Sequence, residues 1–206
     1  MNSKIFLLIL LSYLIGSVPS AYILGKILRG IDIRKFGSGN VGATNAFRVL
    51  GIAPGVFVLI FDLSKGFFCV TYLVNFLNLT TSLARVLAGL CCVSGHNWTV
   101  FLGFKGGKGI ATTLGVLVGL AIKIENLGLV VGLVILTWLI VFFLTRIVSL
   151  ASILSGITLP VYMILFKQSN ILVLLSVILS GFILVRHRLN IKRLLCGKEH
   201  PLKRLI

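Results

Sequence analysis

Long apolar runs make up most of this 206-residue chain and decide what it can fold into. Hydrophobic residues account for 58% of the sequence, and the mean hydropathy is +1.12. A soluble domain of this size has no core large enough to bury so much apolar surface, whereas a helix of about 20 apolar residues crosses the ~30 Å hydrocarbon layer of a bilayer. The sequence therefore predicts an all-α, polytopic membrane protein.

Seven apolar segments predict seven transmembrane helices, at residues 4–25, 51–78, 83–98, 110–123, 127–145, 149–166 and 170–187. The third and fourth segments are short for a span, so five transmembrane helices is the alternative count. The first segment continues to about Tyr22 without a small-residue cleavage site, which favours a retained helix over a signal peptide. We expect residues 1–206 to form a single integral membrane domain.

The cations are distributed unevenly between the two sides of this seven-helix arrangement. The chain has 20 Lys and Arg against 4 Asp and Glu. One side receives 15 of the 20 cations, in the segments 26–48, 105–108, 146 and 186–204. The other side receives Lys4, Arg85, Lys123 and Lys167. Because basic residues mark the cytoplasmic side, we expect the N-terminus outside, the C-terminus in the cytoplasm and all the polar loops on the cytoplasmic face.

The positive charge also bears on the choice of partner. A strongly basic chain often binds nucleic acid, but these cations lie in loops between apolar spans. This distribution indicates membrane topology together with an anionic substrate or lipid surface, so no nucleic-acid partner is expected. The four cysteines show neither C-x-x-C spacing nor a matching histidine pattern, and we expect no metal, disulfide or cofactor.

Residues 37–48, Gly-Ser-Gly-Asn-Val-Gly-Ala-Thr-Asn-Ala-Phe-Arg, form a polar stretch between two apolar runs. Glycines allow successive backbone N–H groups to converge on one point, and Arg48 offers a planar fork that matches phosphate or carboxylate. If a helix begins near Ala43, Thr44 and Arg48 share one of its faces, with Asn45 beside Arg48. The stretch predicts an anion site at a helix start. An ordinary flexible loop is the alternative.

A second glycine-rich loop, Lys105-Gly106-Gly107-Lys108-Gly109, directly precedes a predicted helix. Backbone N–H groups and the helix dipole favour anions at such a position, and a flexible, positively charged connection is the alternative. The loop is not a Walker A motif, because Leu102 and Gly109 stand where that motif requires a glycine and a hydroxyl residue. Residues 37–42 match G-x-G-x-x-G, but no βαβ unit surrounds them, so dinucleotide binding is rejected.

Asp62 and Lys65 lie three residues apart within an otherwise apolar run. Ionisable groups at that depth are costly and are often functional. We interpret them instead as a pair that neutralises itself and fixes helix packing, because no other charged residue is evidently near.

The histidines do not provide the usual acyltransferase motif. Many glycerolipid acyltransferases use His-x-x-x-x-Asp, in which the carboxylate orients a base that activates the acceptor hydroxyl. Here the fifth residues after the three histidines are Phe101, Lys192 and Leu205. That mechanism is therefore excluded, and the absence of G-x-S-x-G also excludes an α/β-hydrolase.

Together, the motifs resemble those of the bacterial acyl-phosphate:glycerol-3-phosphate acyltransferase family. The resemblance covers nearly the whole chain and is carried by Gly-Ser-Gly-Asn-Val-Gly-Ala-Thr-Asn with Arg48, the 103–109 loop, Arg186-His187-Arg188 with Asn190-Ile191, Gly16-Ser17-Val18-Pro19-Ser20, and Thr145-Arg146 with Ser149. It implies a seven-helix enzyme of the bacterial cell membrane with its active site facing the cytoplasm. It further implies transfer of an acyl group from acyl phosphate to the sn-1 hydroxyl of glycerol 3-phosphate. The products are lysophosphatidic acid and phosphate, in the first acylation step of phospholipid synthesis.

The resemblance also implies which residues act on the substrates. The residues implied to be catalytic are Ser38, Arg48, Lys108, His187 and Asn190. Those implied to bind substrate are Gly37, Gly39, Asn40, Thr44, Asn45, Gly106, Gly107, Gly109 and Ser149. Glu199 is a weaker inference of the same kind. The chain departs from the family's pattern at Asn97-Trp98-Thr99 and at His200, outside the core motifs.

Several points stay open at this stage. The proton acceptor is His187, the phosphate of the donor, or Asp32, for which a local salt bridge to Arg34 and Lys35 is the alternative role. An organophosphate transporter is the rival function, but no internal repeat relates the two halves of the chain and the polar motifs cluster on one face. A noncatalytic scaffold would not need two glycine-rich cationic loops. Acyl-chain preference and oligomeric state are not fixed by the sequence.

The two glycine-rich loops give the first testable prediction. Arg48→Ala and Lys108→Ala should each raise the KM for glycerol 3-phosphate or lower kcat by about ten- to hundredfold, because each removes a charge-assisted contact worth roughly 1.5–3 kcal/mol. Lys105→Ala is the matched control and should have a milder effect, because we place Lys105 at the flank of its loop. Steady-state kinetics on purified protein tests this, and an essential Lys105 beside a dispensable Lys108 would reverse the assignment.

Overall fold

The computed structural model describes residues 2–199 and Pro201. The sequence features at His200, Lys203 and Arg204 lie outside the described residues. Every regular element in the described part of the chain is helical, as predicted. The chain divides into two compact units, Met1–Lys123 and Ile124–Ile206.

The first unit begins with a helix that is interrupted near its middle. Helix α1 (Asn2–Ser17) is followed by α2 (Ser20–Arg29), and Pro19 lies at the break between them. Proline has no N–H group to continue the helical hydrogen bonds, so a break at this position is expected. A short 3₁₀ turn, Ile33–Lys35, then leads into α3 (Ala43–Leu50), which begins at the predicted residue.

The rest of the first unit consists of three longer helical stretches. Helix α4 (Ile52–Phe68) continues through a π-helical turn, Cys69–Leu73, into α5 (Val74–Phe76). Helix α6 (Ser82–Asn97) follows, and then a 3₁₀ turn, Val100–Leu102, and α7 (Ile110–Ala121).

Glycines bring these helices unusually close together in two pairs. A Cβ atom at Gly16 of α1 would overlap the backbone of α6, and one at Gly95 of α6 would overlap the backbone of α1. Gly66 of α4 and Gly115 of α7 form the same kind of reciprocal contact. Small residues allow such close approach, which supplies much of the packing energy between helices in lipid.

Arg85, near the start of α6, is buried beside the π-helical turn. Its Nη1 donates to the carbonyl oxygen of Val70 at 2.5 Å, and its Nη2 donates to Oδ1 of Asn75 at 2.9 Å. A π-helical turn disturbs the regular backbone hydrogen bonds. The arginine therefore supplies a donor to the backbone where the helix is irregular.

The second unit contains α8 (Leu127–Thr145), α9 (Val148–Leu165), α10 (Asn170–Arg186) and α11 (Arg188–Leu195). Helices α8 and α9 are joined by a hydrogen bond from Nε1 of Trp138 to Oγ of Ser152, at 3.2 Å. The axes of α10 and α11 differ by 63°. The bend occurs at His187.

The helices match the seven predicted apolar segments to within a few residues at each end. Four stretches of the described chain are long and apolar enough to cross a membrane, and the bent pair α10–α11 would be a fifth: Ser3–Arg29, Ile52–Phe76, Leu127–Thr145, Val148–Leu165, and Asn170–Arg186 with Arg188–Leu195. Helices α6 and α7 have only 16 and 12 residues, fewer than an untilted span needs. The all-helical apolar fold is thus confirmed, while the count of seven spans stays a prediction.

Candidate functional site

The buried side chain of Asn45 is hydrogen-bonded to the backbone of the glycine-rich loop that precedes α3. Its side chain is completely buried. The Oδ1 atom accepts a hydrogen bond from the Ser38 N–H at 2.8 Å, and Nδ2 donates to the carbonyl oxygens of Ile33 at 3.3 Å and Phe36 at 3.1 Å. Because both amide donors are used by the loop backbone, this geometry gives Asn45 a positioning role in place of the predicted substrate contact.

Two N–H groups of the loop backbone are bonded within the protein and so are not available to an anion. The Ser38 N–H is bonded to Asn45, and the Gly39 N–H donates to the carbonyl oxygen of Phe36 at 3.0 Å. Gly37 and Gly39 adopt φ values of 61° and 71°, in the left-handed region that glycine tolerates best. A Cβ at Gly37 would also overlap Oδ1 of Asn45. The glycines therefore serve the turn, and the loop presents the exposed side chain of Ser38.

Helix α3 presents Thr44 and Arg48 on one face, as predicted, whereas Asn45 does not lie on that face but is buried. Arg48 is exposed, and Thr44, one turn earlier on the same face, is half-buried, as is Asn40 in the preceding loop. No side chain caps the start of the helix at Gly42. The opposite face of α3 packs into a core cluster of the first unit, made of Ala21, Ile33, Val41, Ala46, Leu50, Val58 and Leu102.

The end of α3 is fixed by a side chain from α2. Arg29 donates from Nη1 to the carbonyl oxygen of Val49 at 2.7 Å and from Nη2 to that of Leu50 at 3.1 Å. The last carbonyl groups of a helix lack partners within it and carry partial negative charge. Arg29 therefore satisfies this end of α3 and helps to fix the helix that carries Arg48.

Asp32 forms the local salt bridge that was its alternative role. Nη2 of Arg34 lies 2.7 Å from Oδ2 of Asp32, and Nε of Arg34 lies 3.0 Å from Oδ1. Hydrogen bonds from the Arg34 side chain lower the pKa of Asp32 to about 2. A carboxylate with so low a pKa is a poor proton acceptor near neutral pH, so Asp32 is removed from the three candidates.

The second glycine-rich loop packs against the end of α6. The Gly106 N–H donates to the carbonyl oxygen of Asn97 at 3.2 Å, and the Gly107 N–H donates to that of His96 at 2.9 Å. A Cβ at either glycine would overlap His96. The predicted cradle of backbone N–H groups is therefore wrong for these two residues, because their N–H groups are already bonded. Of the two cations in this packed loop, Lys108 is half-buried and Lys105 is exposed.

Buried polar atoms without partners lie next to the last glycine of this loop. Gly109 has φ 76° and caps α7. Neither Oδ1 nor Nδ2 of the fully buried Asn97 has a hydrogen-bond partner, and the same holds for the hydroxyl of Thr113, one turn into α7. A Cβ at Gly109 would lie 2.6 Å from Oδ1 of Asn97. Buried polar groups are usually hydrogen-bonded, so the side chains of Asn97 and Thr113 add polarity to the otherwise apolar packing at the start of α7.

The turn that joins α6 to this loop is tied to the end of α1. Oγ1 of Thr99 donates to the carbonyl oxygen of Ser17 at 2.5 Å, and the Tyr13 hydroxyl donates to that of Trp98 at 2.7 Å. Sequence reasoning noted Trp98 and Thr99 only as departures from the family's pattern. No sequence signal pairs these residues with α1, because they are about 80 positions apart.

The charged pair of α4 forms as predicted, and it has more partners than expected. Nζ of Lys65 lies 2.8 Å from Oδ1 of Asp62, and both side chains are buried. Oγ of Ser20 donates to the same carboxylate oxygen at 2.8 Å. Nδ1 of His96 lies 3.3 Å from Nζ of Lys65. The sequence did not indicate that His96 would lie beside the pair, because it comes from another helix, 31 residues away.

In the second unit, Glu199 is hydrogen-bonded to two of the predicted site residues, Ser149 and Asn190. Its Oε1 accepts hydrogen bonds from Oγ of Ser149 at 2.7 Å and from Nδ2 of Asn190 at 2.5 Å. Its Oε2 accepts from Nε of Arg193 at 2.6 Å. The structure thus brings Ser149 and Asn190 together, with Glu199 between them. Arg193 was missed as a functional residue, because it reads as one of several cations at a basic helix end.

The Glu199 carboxyl is ionised at neutral pH. Partial burial raises its pKa, but the hydrogen bonds from Arg193, Ser149 and Asn190 outweigh this effect and hold the pKa below its ordinary value. The cluster is therefore favourable above the ordinary pKa of a glutamate and is lost as the pH falls through the lowered value.

His187 is buried at the bend between α10 and α11. Its Nδ1 lies 2.8 Å from the carbonyl oxygen of Ile183. Because a carbonyl oxygen only accepts, Nδ1 carries a proton, and Nε2 is the acceptor whenever the ring is neutral. This tautomer is the one that a proton acceptor acting through Nε2 requires.

Metal ions in proteins are bound by groups of side chains such as His, Cys, Asp and Glu. Within residues 2–199, no three His, Cys, Asp or Glu side chains are grouped so as to hold one. All four cysteines are free thiols.

Comparison with known proteins gives consistent results. The family model for glycerol-3-phosphate acyltransferase matches residues 6–197. The chain is 45% identical to the glycerol-3-phosphate acyltransferase of Synechococcus sp. (strain CC9902), over 94% of this chain and 92% of that protein. It is 43% identical to glycerol-3-phosphate acyltransferase 2 of Bacillus anthracis, over 95% of this chain and 98% of that protein.

Two crystal structures of PlsY (YgiH), an integral membrane glycerol 3-phosphate acyltransferase, have a similar fold. The glycerol 3-phosphate form matches with a TM-score of 0.87 and 38% identity, and the lysophosphatidic acid form with 0.85 and 37%. In both comparisons, the match covers 98% of this chain and 96% of the other.

The role of Asn45 can be tested by a substitution of equal size. Asn45→Asp keeps an oxygen for the Ser38 N–H but sets a second oxygen against the carbonyl groups of Ile33 and Phe36. We expect a loss of roughly 1–3 kcal/mol in stability, as for other buried groups left unsatisfied, together with reduced activity. Thermal unfolding measures this, with Ser64→Ala as the control, since the exposed Ser64 bonds only within its own helix. An unchanged Tm for Asn45→Asp would contradict the positioning role.

Proposed function

The chain belongs to the glycerol-3-phosphate acyltransferase family, and we propose that it transfers an acyl group from acyl phosphate to the sn-1 hydroxyl of glycerol 3-phosphate. The products are lysophosphatidic acid and phosphate, and the reaction is the first acylation step of phospholipid synthesis. The observation that carries this proposal is the agreement with the family over nearly the whole chain, in sequence and in fold.

The charge distribution in the structure suits two phosphate-bearing substrates. Each phosphate monoester carries about −1.5 to −2 charges at neutral pH, so unpaired carboxylates near the site would repel both substrates. The chain has only 4 Asp and Glu. Three of them are paired with cations, Asp32 with Arg34, Asp62 with Lys65, and Glu199 with Arg193. We propose that Arg48 and Lys108, which lie in the two glycine-rich motifs, attract the substrates.

Acyl phosphate is already activated, so the reaction does not need a covalent enzyme intermediate. The acceptor hydroxyl oxygen attacks the acyl carbon, the bond from that carbon to the phosphate oxygen breaks, and phosphate leaves with its electron pair. Positioning of the two substrates and stabilisation of the developing negative charge provide most of the acceleration. Some group must still accept the proton from the hydroxyl.

We assign the residues to these tasks as follows. Arg48 and Lys108 bind phosphate oxygens, and Ser38 donates a hydrogen bond from the loop that Asn45 holds. Asn40 and Thr44 remain proposed substrate contacts beside them. Support for this assignment comes from the exposure of Ser38 and Arg48 and from the rigid anchoring of their loop and helix.

In the second unit, we assign Ser149 and Asn190 to substrate binding and His187 to accepting the proton. The tautomer of His187 supports this, because its Nε2 is an acceptor. The phosphate of the donor is the other candidate for the proton. Glu199 acts as a positioning residue, because it holds both Ser149 and Asn190.

The donor can be identified by supplying each candidate separately. Purified protein is incubated with labelled glycerol 3-phosphate and either acyl phosphate, acyl-CoA or acyl carrier protein. We expect lysophosphatidic acid only with acyl phosphate, with one phosphate released for each acyl group transferred, because no His-x-x-x-x-Asp motif activates the hydroxyl against a thioester. Comparable turnover with acyl-CoA that has been freed of acyl phosphate would overturn the donor assignment.

We also propose that the chain crosses the bacterial cell membrane seven times, with the N-terminus outside and the loops of the site in the cytoplasm. Helices α6 and α7 are short, but each packs closely on another apolar helix through glycines, which supports their place within the bilayer. The uneven distribution of cations supports the orientation.

Cysteine labelling tests this topology. Lys35→Cys and Lys105→Cys probe the proposed cytoplasmic side, and Lys123→Cys and Lys167→Cys are matched controls for the outer side, since all four lysines are exposed. Each substitution is made in a protein that lacks its native cysteines. In right-side-out vesicles a membrane-impermeant thiol reagent should label only the outer pair, and in inside-out vesicles only the cytoplasmic pair. Labelling of Lys105→Cys in right-side-out vesicles would contradict the orientation.

A further inference from the structure

A buried chain of polar groups connects the break in the first span to the loop that carries Lys108. Its members are Ser20, Asp62, Lys65 and His96, whose exposed fractions are 8% or less. Oγ of Ser20 and Nζ of Lys65 both lie 2.8 Å from Oδ1 of Asp62. The proposed reaction assigns no task to any of these groups.

The ammonium group of Lys65 has more acceptors around it than it has protons. It donates to the carbonyl oxygens of Gly16 at 3.2 Å and Val18 at 3.0 Å, and it faces Oδ1 of Asp62 at 2.8 Å. The fourth neighbour is Nδ1 of His96, at 3.3 Å. An ammonium group has three protons and no acceptor, so no atom of Lys65 can receive a proton from His96.

This geometry determines how the His96 ring carries its proton. A proton on Nδ1 would point at a positively charged donor, which is unfavourable. The carboxylate of Asp62 does not change this, because its Oδ1 lies 3.8 Å from Nδ1 of His96, beyond hydrogen-bond distance. The neutral ring therefore has its lone pair on Nδ1, toward Lys65, and its proton on Nε2.

The other edge of the His96 ring lies against the second glycine-rich loop. A Cβ at Gly107 would overlap Nε2 of His96, so this nitrogen lies directly beneath the loop. The backbone makes contact at the same place, because the Gly107 N–H donates to the His96 carbonyl oxygen at 2.9 Å. Lys108 is the next residue in the chain.

We propose that the Asp62–Lys65 pair fixes His96 in the tautomer with its proton on Nε2, and that the His96 ring positions the 105–109 loop so that Lys108 can bind a substrate phosphate. His96 is a positioning residue, since it acts through the loop and not on the reacting atoms. The kinetic part of this inference rests on the proposed function, because it takes Lys108 to bind phosphate. The tautomer and the contact with the loop do not.

The first test observes the tautomer directly and needs no activity. The full-length protein is labelled with ¹⁵N-histidine, and the His96 signals are identified by their loss in His96→Asn. We expect one protonated ring nitrogen and one unprotonated ring nitrogen, with couplings to the ring hydrogens identifying the protonated one as Nε2. A proton on Nδ1, or on both nitrogens, would overturn the inference.

Two amide substitutions then test the contributions of the two ring nitrogens of His96 separately. His96→Asn places an acceptor near the position of Nδ1 for Lys65 but removes the donor beneath the loop. His96→Gln places an amide donor near the position of Nε2 and leaves Lys65 with its three oxygen acceptors. We expect His96→Asn to raise the KM for glycerol 3-phosphate about tenfold with a smaller change in kcat, because displacement of Lys108 weakens ground-state binding of the substrate. His96→Gln should restore most of the affinity.

Each alternative outcome has a distinct meaning. If both variants lose kcat and thermal stability equally, His96 is a packing residue and the positioning role fails. If His96→Asn keeps the wild-type KM, the role also fails. If the wild-type protein transfers no acyl group to glycerol 3-phosphate, the proposed function fails, and the NMR spectrum still decides whether Lys65 fixes the tautomer.

Discussion

The arrangement of the first unit depends on satisfying one ammonium group in an apolar interior. A lysine inside a membrane-spanning helix is costly unless it finds a carboxylate or backbone carbonyl groups. Lys65 finds both, Asp62 on its own helix and two carbonyl oxygens at the end of α1. These carbonyl groups are available because the helix is interrupted at Pro19. The break in α1–α2 and the charged pair in α4 are thus complementary, and each would be unfavourable without the other.

The glycine-rich motifs have a different physical basis from the one their composition suggests. In each loop, two backbone N–H groups are bonded within the protein. Those of Ser38 and Gly39 donate to Asn45 and Phe36, and those of Gly106 and Gly107 donate to Asn97 and His96. The absence of a Cβ allows each loop to lie directly on these supporting groups. Side chains such as Ser38 and Lys108 are then presented from a firmly held backbone. Rigid support of this kind favours precise placement of binding groups.

The sequence predicted the helices well because membrane spans have a strong and simple signal. Each apolar segment became a helix with nearly the predicted ends, and α3 begins at Ala43 as expected. Periodicity also identified the Asp62–Lys65 pair, because residues three apart share a helix face. The partners of these groups could not be predicted. Ser20 and His96 contact the pair from positions 42 and 31 residues away in the sequence, and such contacts depend on tertiary packing that no local pattern specifies.

The shortness of α7 has a consequence for how the protein is made. Its 12 residues extend about 18 Å at 1.5 Å per residue, well under the ~30 Å of the hydrocarbon layer. A helix this short is too short to be stable across the bilayer by itself. Its position in the proposed topology therefore depends on the reciprocal glycine contact with α4. Helix α4 is synthesised earlier and meets the bilayer first. In the proposed topology, the groove around Gly66 therefore belongs to a helix that precedes α7 in the chain, and this face of α4 would contribute to the insertion of α7 as well as to stability.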